Sequence, residues 1–141
     1  MLVDGEELTT IWFDDDMSSV KIIDQRLLPH ELKIVTLSNL EDVEYAIREM
    51  QVRGAPLIGV TAAFGMYLAA VKNSSTEFLK KSGNFLKNAR PTAVNLSWSV
   101  NKVMQEIDNI DLHKRKNSIL KIAKKIRIDD IEACKKIGEY G

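Results

Sequence analysis

Between Arg53 and Lys72 no side chain carries a charge: the stretch reads Gly-Ala-Pro-Leu-Ile-Gly-Val-Thr-Ala-Ala-Phe-Gly-Met-Tyr-Leu-Ala-Ala-Val. A helix without a polar face must be surrounded by protein or by lipid. A membrane span needs roughly 20 strongly apolar residues, and this run is shorter and diluted by Gly, Ala and Thr. It is therefore expected to be the central buried helix of a soluble domain. Gly59, Ala62, Ala63, Gly65, Ala69 and Ala70 leave room for neighbouring helices to approach closely.

The start of this helix has chemistry of its own. Pro56 suits a first turn, where its missing N–H would have no partner anyway. Gly54 permits a tight turn just before it. Arg53 then sits beside free backbone N–H groups at the positive end of the helix dipole, a setting that favours phosphate or carboxylate. The alternative is that Arg53 pairs with a nearby Asp or Glu and Gly54 merely turns the chain.

A second turn, Asn88-Ala89-Arg90-Pro91-Thr92, repeats the arrangement: an Arg, then Pro in the first turn of the next helix, with small neighbours. Two helix N-termini with an Arg beside each can converge on one anion, and the planar guanidinium fork binds two phosphate oxygens at once. Two independent helix starts would read the same way.

These turns lie in an α+β pattern. Thr9–Asp14 and Val20–Gln25 are predicted strands joined by an Asp15–Ser19 turn, with Ile34–Leu37 as a third, giving a small antiparallel sheet within residues 1–37. Residues 38–141 read as a helical bundle. Ser38 with Glu41 forms a capping-box signature, followed by Leu40, Val43, Ile47 and Met50 at helical spacing and a Glu44–Arg48 pair. Ser74 with Glu77 opens a helix whose apolar positions are Phe78, Leu79, Phe85 and Leu86. Another helix runs from about Pro91 to Ile107. The last third is one amphipathic helix or a pair, with Ile119, Ile122, Ala123 and Ile126 as its stripe and Asp129–Asp130 able to cap a continuation. The 141 residues are the size of one domain.

Other features are chemically quiet. Lys plus Arg equals Asp plus Glu, 20 against 20, so net charge points to no nucleic acid. The single Cys134 fits a reducing compartment, and the acidic first residues do not resemble a signal peptide, so the expected location is the cytoplasm. Cys134 is expected to be buried and inert. His30 and His113, without metal-ligand spacing, predict no metal site. The basic stretch from Lys114 to Arg127 fits the solvated face of a helix. Asp14, Asp15 and Asp16 read as a charged hairpin tip. No paired carboxylates, Ser-His-Asp set or P-loop is visible, so no catalytic residue is assigned.

Several segments together resemble the N-terminal half of the S-methyl-5-thioribose-1-phosphate isomerase family, which is related to the regulatory subunits of translation initiation factor 2B. They are Ile22-Ile23-Asp24-Gln25 with Leu28-Pro29, Ala46-Ile47-Arg48-Glu49-Met50, Val52-Arg53-Gly54-Ala55-Pro56, and Arg90-Pro91-Thr92-Ala93-Val94-Asn95-Leu96. Trp12 and Ile137-Gly138-Glu139 also fit. The resemblance implies a cofactor-free isomerisation of an aldose 1-phosphate to a ketose 1-phosphate in methionine salvage, with Arg53, Gly54, Ala55 and Arg90 binding the phosphorylated sugar. It implies a homodimer; the balanced charge and the diluted apolar run predict neither nucleic acid nor membrane as partner. The family's proton-transferring Cys and Asp lie in a Rossmann-like C-terminal domain that is absent here, and Cys134 does not match that Cys. The chain alone is thus expected to be silent, its catalytic half being a missing domain or a separate chain. The rival expectation is a non-catalytic interaction domain of the initiation-factor type.

Overall fold

The computed structural model of the chain describes residues 2–3, 6–7, 11–13, 19–24, 26, 30–31, 33–52 and 55–140. The Asp14–Asp16 tip, Gln25, Leu28, Pro29, Arg53 and Gly54 lie outside the described residues.

Among the described residues two antiparallel sheets precede five helices. Strands β3 (Ile11–Phe13), β4 (Val20–Ile23) and β5 (Ile34–Leu37) form a meander in the order β3-β4-β5, with Ile11 opposite Ile22 and Val20 opposite Leu37. Those four residues are buried, which fixes the register, because a one-residue slip would turn them to the other face. A separate hairpin of β1 (Leu2–Val3) and β2 (Glu6–Glu7) has no counterpart in the sequence reading. Two-residue strands are too short to show alternation.

Helix α1 (Leu40–Arg48) starts one position later than the Ser38–Glu41 signature suggests. Asn39, in extended conformation, is the cap: its Oδ1 accepts the Asp42 N–H at 2.8 Å, while Asp42 Oδ2 accepts the Ser38 N–H at 3.0 Å. Glu44 and Arg48 pair as expected, 2.8 Å apart. The helix ends in a Schellman motif. The Met50 N–H reaches Ile47 O, and the Gln51 N–H reaches Ala46 O at 2.9 Å. Met50 occupies the left-handed position of this motif, at φ 64°, where Gly is the usual residue. Its side chain is 43% exposed, so little packing opposes a change there. Met50→Gly is expected to raise stability to urea by about 0.5–1 kcal/mol, because relief of the left-handed penalty outweighs Gly's chain entropy. Met50→Val should lower it. Equal midpoints for the two variants would show that no strain resides at this position.

Helix α2 (Ala55–Lys72) is the centre of the molecule, and every residue from 57 to 70 is buried. It packs most extensively on α5 (Leu112–Tyr140) and α4 (Val94–Ile107), then on α1 and α3 (Thr76–Lys87). Gly65 makes this crowding possible: a Cβ there would stand 2.7 Å from Val43 Cγ1 of α1 and 3.1 Å from Leu86 Cδ1 of α3. Within the run the Thr61 hydroxyl is satisfied, Oγ1 donating to Leu57 O at 2.7 Å. Among the described residues no helix is long and apolar enough to cross a membrane.

Helix α3 is capped by Ser75, again one residue past the expected Ser74, whose hydroxyl instead donates to Ala70 O at the end of α2. Phe85, expected as an inner position, is exposed. Helix α5 is one continuous element of 29 residues, with Asp129 and Asp130 inside it rather than capping a second helix. Ile119 and Ala123 are buried and Ile122 and Ile126 partly so, as the stripe requires. The basic stretch is not wholly solvated, however. Arg115 is only 9% exposed and donates to Ile110 O, Ser74 O and Thr76 Oγ1 at 2.8–3.0 Å. Arg127 Nε donates to Ile11 O at 2.9 Å, joining α5 to the sheet.

Candidate functional site

The start of α4 differs from those of α1 and α3. Pro91 and Thr92 form a turn rather than a first helical turn, and the helix begins three residues later than expected, at Val94. The turn is closed by the Ala93 N–H on Arg90 O at 2.9 Å. Its cap, Ala93, has no side-chain acceptor for the first-turn N–H groups, where Ser, Thr, Asn or Asp would supply one. Those donors and the positive end of the helix dipole are left for another acceptor.

Arg90 lies in this turn, partly buried. Among the described residues two buried side-chain polar atoms lack a hydrogen-bond partner, Arg90 Nη1 and Ser99 Oγ. An unpaired buried donor costs about 1–3 kcal/mol, and more on a charged group, so native structures rarely keep one without a use.

Ser99 Oγ belongs to the region where α4 meets α2. Gly59, one turn into α2, faces the beginning of α4: a Cβ there would lie 2.9 Å from Ser99 Oγ, 3.3 Å from Asn95 O and 3.6 Å from Asn95 Cβ. The first turn of α4 therefore packs directly against α2 one turn from that helix's start. Ala55 is the first residue of α2 and Pro56 the second, as its missing N–H favours. Arg53 and Gly54, the other residues expected at this site, fall outside the described residues.

A second cluster, which the sequence reading did not identify, lies beside the α1–α2 connection. The Asp24 carboxylate, 1% exposed, accepts from the backbone N–H, Nε and Nη2 of Arg26 at 2.9–3.1 Å, and from Gln51 Nε2 at 3.2 Å. The Arg26 fork, with help from its backbone N–H and from Gln51, holds the Asp24 carboxyl below the usual carboxylate range against the opposing effect of burial. Asp24 and then Tyr45 hold the Arg26 guanidinium above its ordinary value. Nothing in sequence spacing links Asp24 to Gln51, 27 positions apart.

A groove of about 520 Å³ opens at the other end of α2, between the start of α1 and α3, floored by Leu68, Phe78 and Phe85 and edged by Lys72 and Lys81. Its size does not make it the better candidate. It shares no residue with the Arg90 turn and, unlike that turn, contains no buried polar atom left unpaired among the described residues. Among those residues no group of three or more His, Cys, Asp or Glu is placed to hold a metal ion.

Comparison with known proteins places these features in context. Residues 51–141, more than half of the chain, match the initiation factor 2 subunit family. Over all 141 residues the chain is 45% identical to a methylthioribose-1-phosphate isomerase of Methylocella silvestris, of which it covers 38%. The crystal structure of 5-methylthioribose 1-phosphate isomerase from Pyrococcus horikoshii OT3 superposes with a TM-score of 0.84 at 40% identity, over 93% of this chain and 39% of that one. Subunit delta of translation initiation factor eIF-2B from A. fulgidus superposes with a TM-score of 0.80 at 33% identity, over 89% of this chain and 38% of that one. The chain thus spans about two fifths of the length of these relatives.

Proposed function

The chain belongs to the initiation factor 2 subunit family, and from that premise we propose that it is the sugar-phosphate-binding N-terminal part of a methylthioribose-1-phosphate isomerase. The observation that carries this reading is the unpartnered, buried Nη1 of Arg90 beside the uncapped start of α4. A phosphate placed there accepts from the guanidinium and from first-turn N–H groups, satisfying both at once. Arg53, Gly54 and Ala55, the other residues expected to bind the sugar phosphate, are proposed to share in this binding. The reaction turns an aldose 1-phosphate into a ketose 1-phosphate, a step of methionine salvage in the cytoplasm, in a homodimer and without a cofactor.

Isomerisation between adjacent carbons requires a positioned group to move a proton. The Arg90 turn supplies binding and no such group, so the chain alone is proposed to hold substrate without converting it. Calorimetric titration with 5-methylthioribose 1-phosphate is expected to show saturable binding that inorganic phosphate displaces, with no ketose formed above background. Absence of binding would remove the site assignment. Ketose formation well above background would show that the catalytic groups lie within this chain.

The likeness to the eIF-2B delta subunit supports a second reading, a non-catalytic module that contacts partner proteins. It leaves the unpartnered Nη1 of Arg90 and the uncapped start of α4 without a role. Recovery of translation factors on the immobilised chain, together with no uptake of sugar phosphate, would favour it.

A further inference from the structure

We infer that the outer edge of β5 pairs with the same edge of a second copy of this chain, so that two three-stranded sheets become one continuous sheet. The inference rests on the proposed homodimer and names its interface. The register decides which backbone groups of β5 face outward. The Asp24 N–H donates to Lys33 O at 2.9 Å, so Lys33 belongs to a hydrogen-bonded pair with the β4 side. Hydrogen-bonded and non-hydrogen-bonded pairs alternate along an antiparallel ladder. With Ile22 opposite Val35 and Val20 opposite Leu37, Val35 and Leu37 also turn their N–H and C=O groups towards β4. The N–H and C=O groups of Ile34 and Thr36 therefore point away from the sheet. Among the described residues these groups have no hydrogen-bond partner, and both residues are exposed, Ile34 to 49%.

The other outer strand of this sheet is already engaged, because Ile11 O of β3 accepts from Arg127 Nε of α5 at 2.9 Å. Strand β5 reads Ile-Val-Thr-Leu, with three β-branched residues and neither the charge nor the proline that usually blunts an edge. Its outward groups match their own copy. A two-fold axis at Val35 sets Ile34 of each copy opposite the partner's Thr36. Each such pair exchanges both N–H···O bonds, so every outward group of Ile34 and Thr36 is used and none is left over. Val35 then faces the partner's Val35 in the closer, non-hydrogen-bonded kind of pair, where β-branched side chains pack well. A charge at this position would repel its own copy; Val35 carries none, which favours a second copy over an unrelated extended segment. The contact is isologous, the commonest arrangement among oligomers.

The test combines sedimentation velocity over a range of concentrations with backbone amide exchange by NMR. The chain is expected to pass reversibly from monomer to dimer as concentration rises, as a small interface does. In the dimer the Ile34 and Thr36 amides should exchange about tenfold more slowly or better, while those of Val35 and Leu37, bonded to β4 throughout, keep their rates. Thr36→Pro removes an outward N–H and no bond to β4, so it should raise the dimer dissociation constant about tenfold or more in a folded chain. The register has its own test. Ile34→Lys/Thr36→Lys sets like charges opposite each other and should weaken the dimer, whereas Ile34→Lys/Thr36→Glu sets opposite charges there and should dimerise more tightly than the first. A dimer left intact by Thr36→Pro, or equal dimerisation of the two charge variants, would overturn the β5 interface and leave the homodimer standing. A chain that stays monomeric at every concentration would overturn both. Should Thr36→Pro not fold, the two charge variants decide, because they alter exposed side chains only.

Discussion

Arg90→Met is expected to weaken phosphate binding about a hundredfold or more while leaving the chain at least as stable as before. Charge-assisted hydrogen bonds are worth about 1.5–3 kcal/mol each, so losing a two-pronged contact accounts for the fall in affinity. The stability side rests on Arg90 Nη1, which is buried and has no partner among the described residues. Methionine keeps the apolar stem of the side chain and removes that unsatisfied donor. Activity and stability thus move in opposite directions, as they do where a site holds groups for a ligand rather than for the fold. Arg90→Lys should fall between, because it retains the charge and loses the planar fork. Phosphate titration together with urea unfolding checks both halves. A loss of more than about 1 kcal/mol on Arg90→Met would instead mark the guanidinium as structural.

Gly59→Ala should destabilise the chain by about 1–3 kcal/mol and weaken phosphate binding along with it. The new Cβ would meet Ser99 Oγ at 2.9 Å and the Asn95 carbonyl at 3.3 Å. The hydroxyl can rotate aside; the carbonyl belongs to the first turn of α4 and moves only with the helix. The Arg90–Ala93 turn is attached to that helix start and is displaced with it. Ser99→Ala on its own is expected to be neutral or slightly stabilising, since it deletes a buried hydroxyl that has no partner. Combined with Gly59→Ala it should restore about half of the lost stability, a coupling of about 1 kcal/mol between touching residues. Strict additivity in thermal or urea unfolding would show that α2 and α4 do not meet at these two residues.

How far the sequence could be read depended on the range of the forces at work. The burial of α2 was legible because a run without a polar face has few destinations. The strands Val20–Ile23 and Ile34–Leu37 followed from β-branched residues bounded by turns. Errors of one residue arose at Ser38 and Ser74, where the adjacent Asn39 and Ser75 cap equally well and local chemistry does not choose between them. Pro91 placed the start of α4 too early, because a proline fits a turn as readily as a first helical turn. Of the expected site residues, Arg90 was legible from its Arg-Pro-Thr turn, but its unpartnered nitrogen was not, since that depends on what surrounds it in space. Asp24 and Arg115 escaped notice for a related reason. Their decisive partners, Gln51 for one and Ser74 with Thr76 for the other, lie 27 to 41 positions away. A buried cation in a lysine-rich stretch is indistinguishable from its neighbours until its carbonyl partners are known.

The all-round burial of α2 also sets the order of events during synthesis. Its largest covering surface is α5, which begins at Leu112, whereas α2 ends at Lys72. At about 5–20 residues per second, the 39 positions between them take roughly 2–8 s to translate. Throughout that interval a helix with no water-facing side has only α1 and the growing α3 and α4 to cover it. Collapse of isolated segments is faster by several orders of magnitude, so the nascent chain waits with apolar surface exposed. A chain built in this way is a natural client for ribosome-associated chaperones, and its soluble yield will follow their supply more closely than it follows the stability of the finished fold.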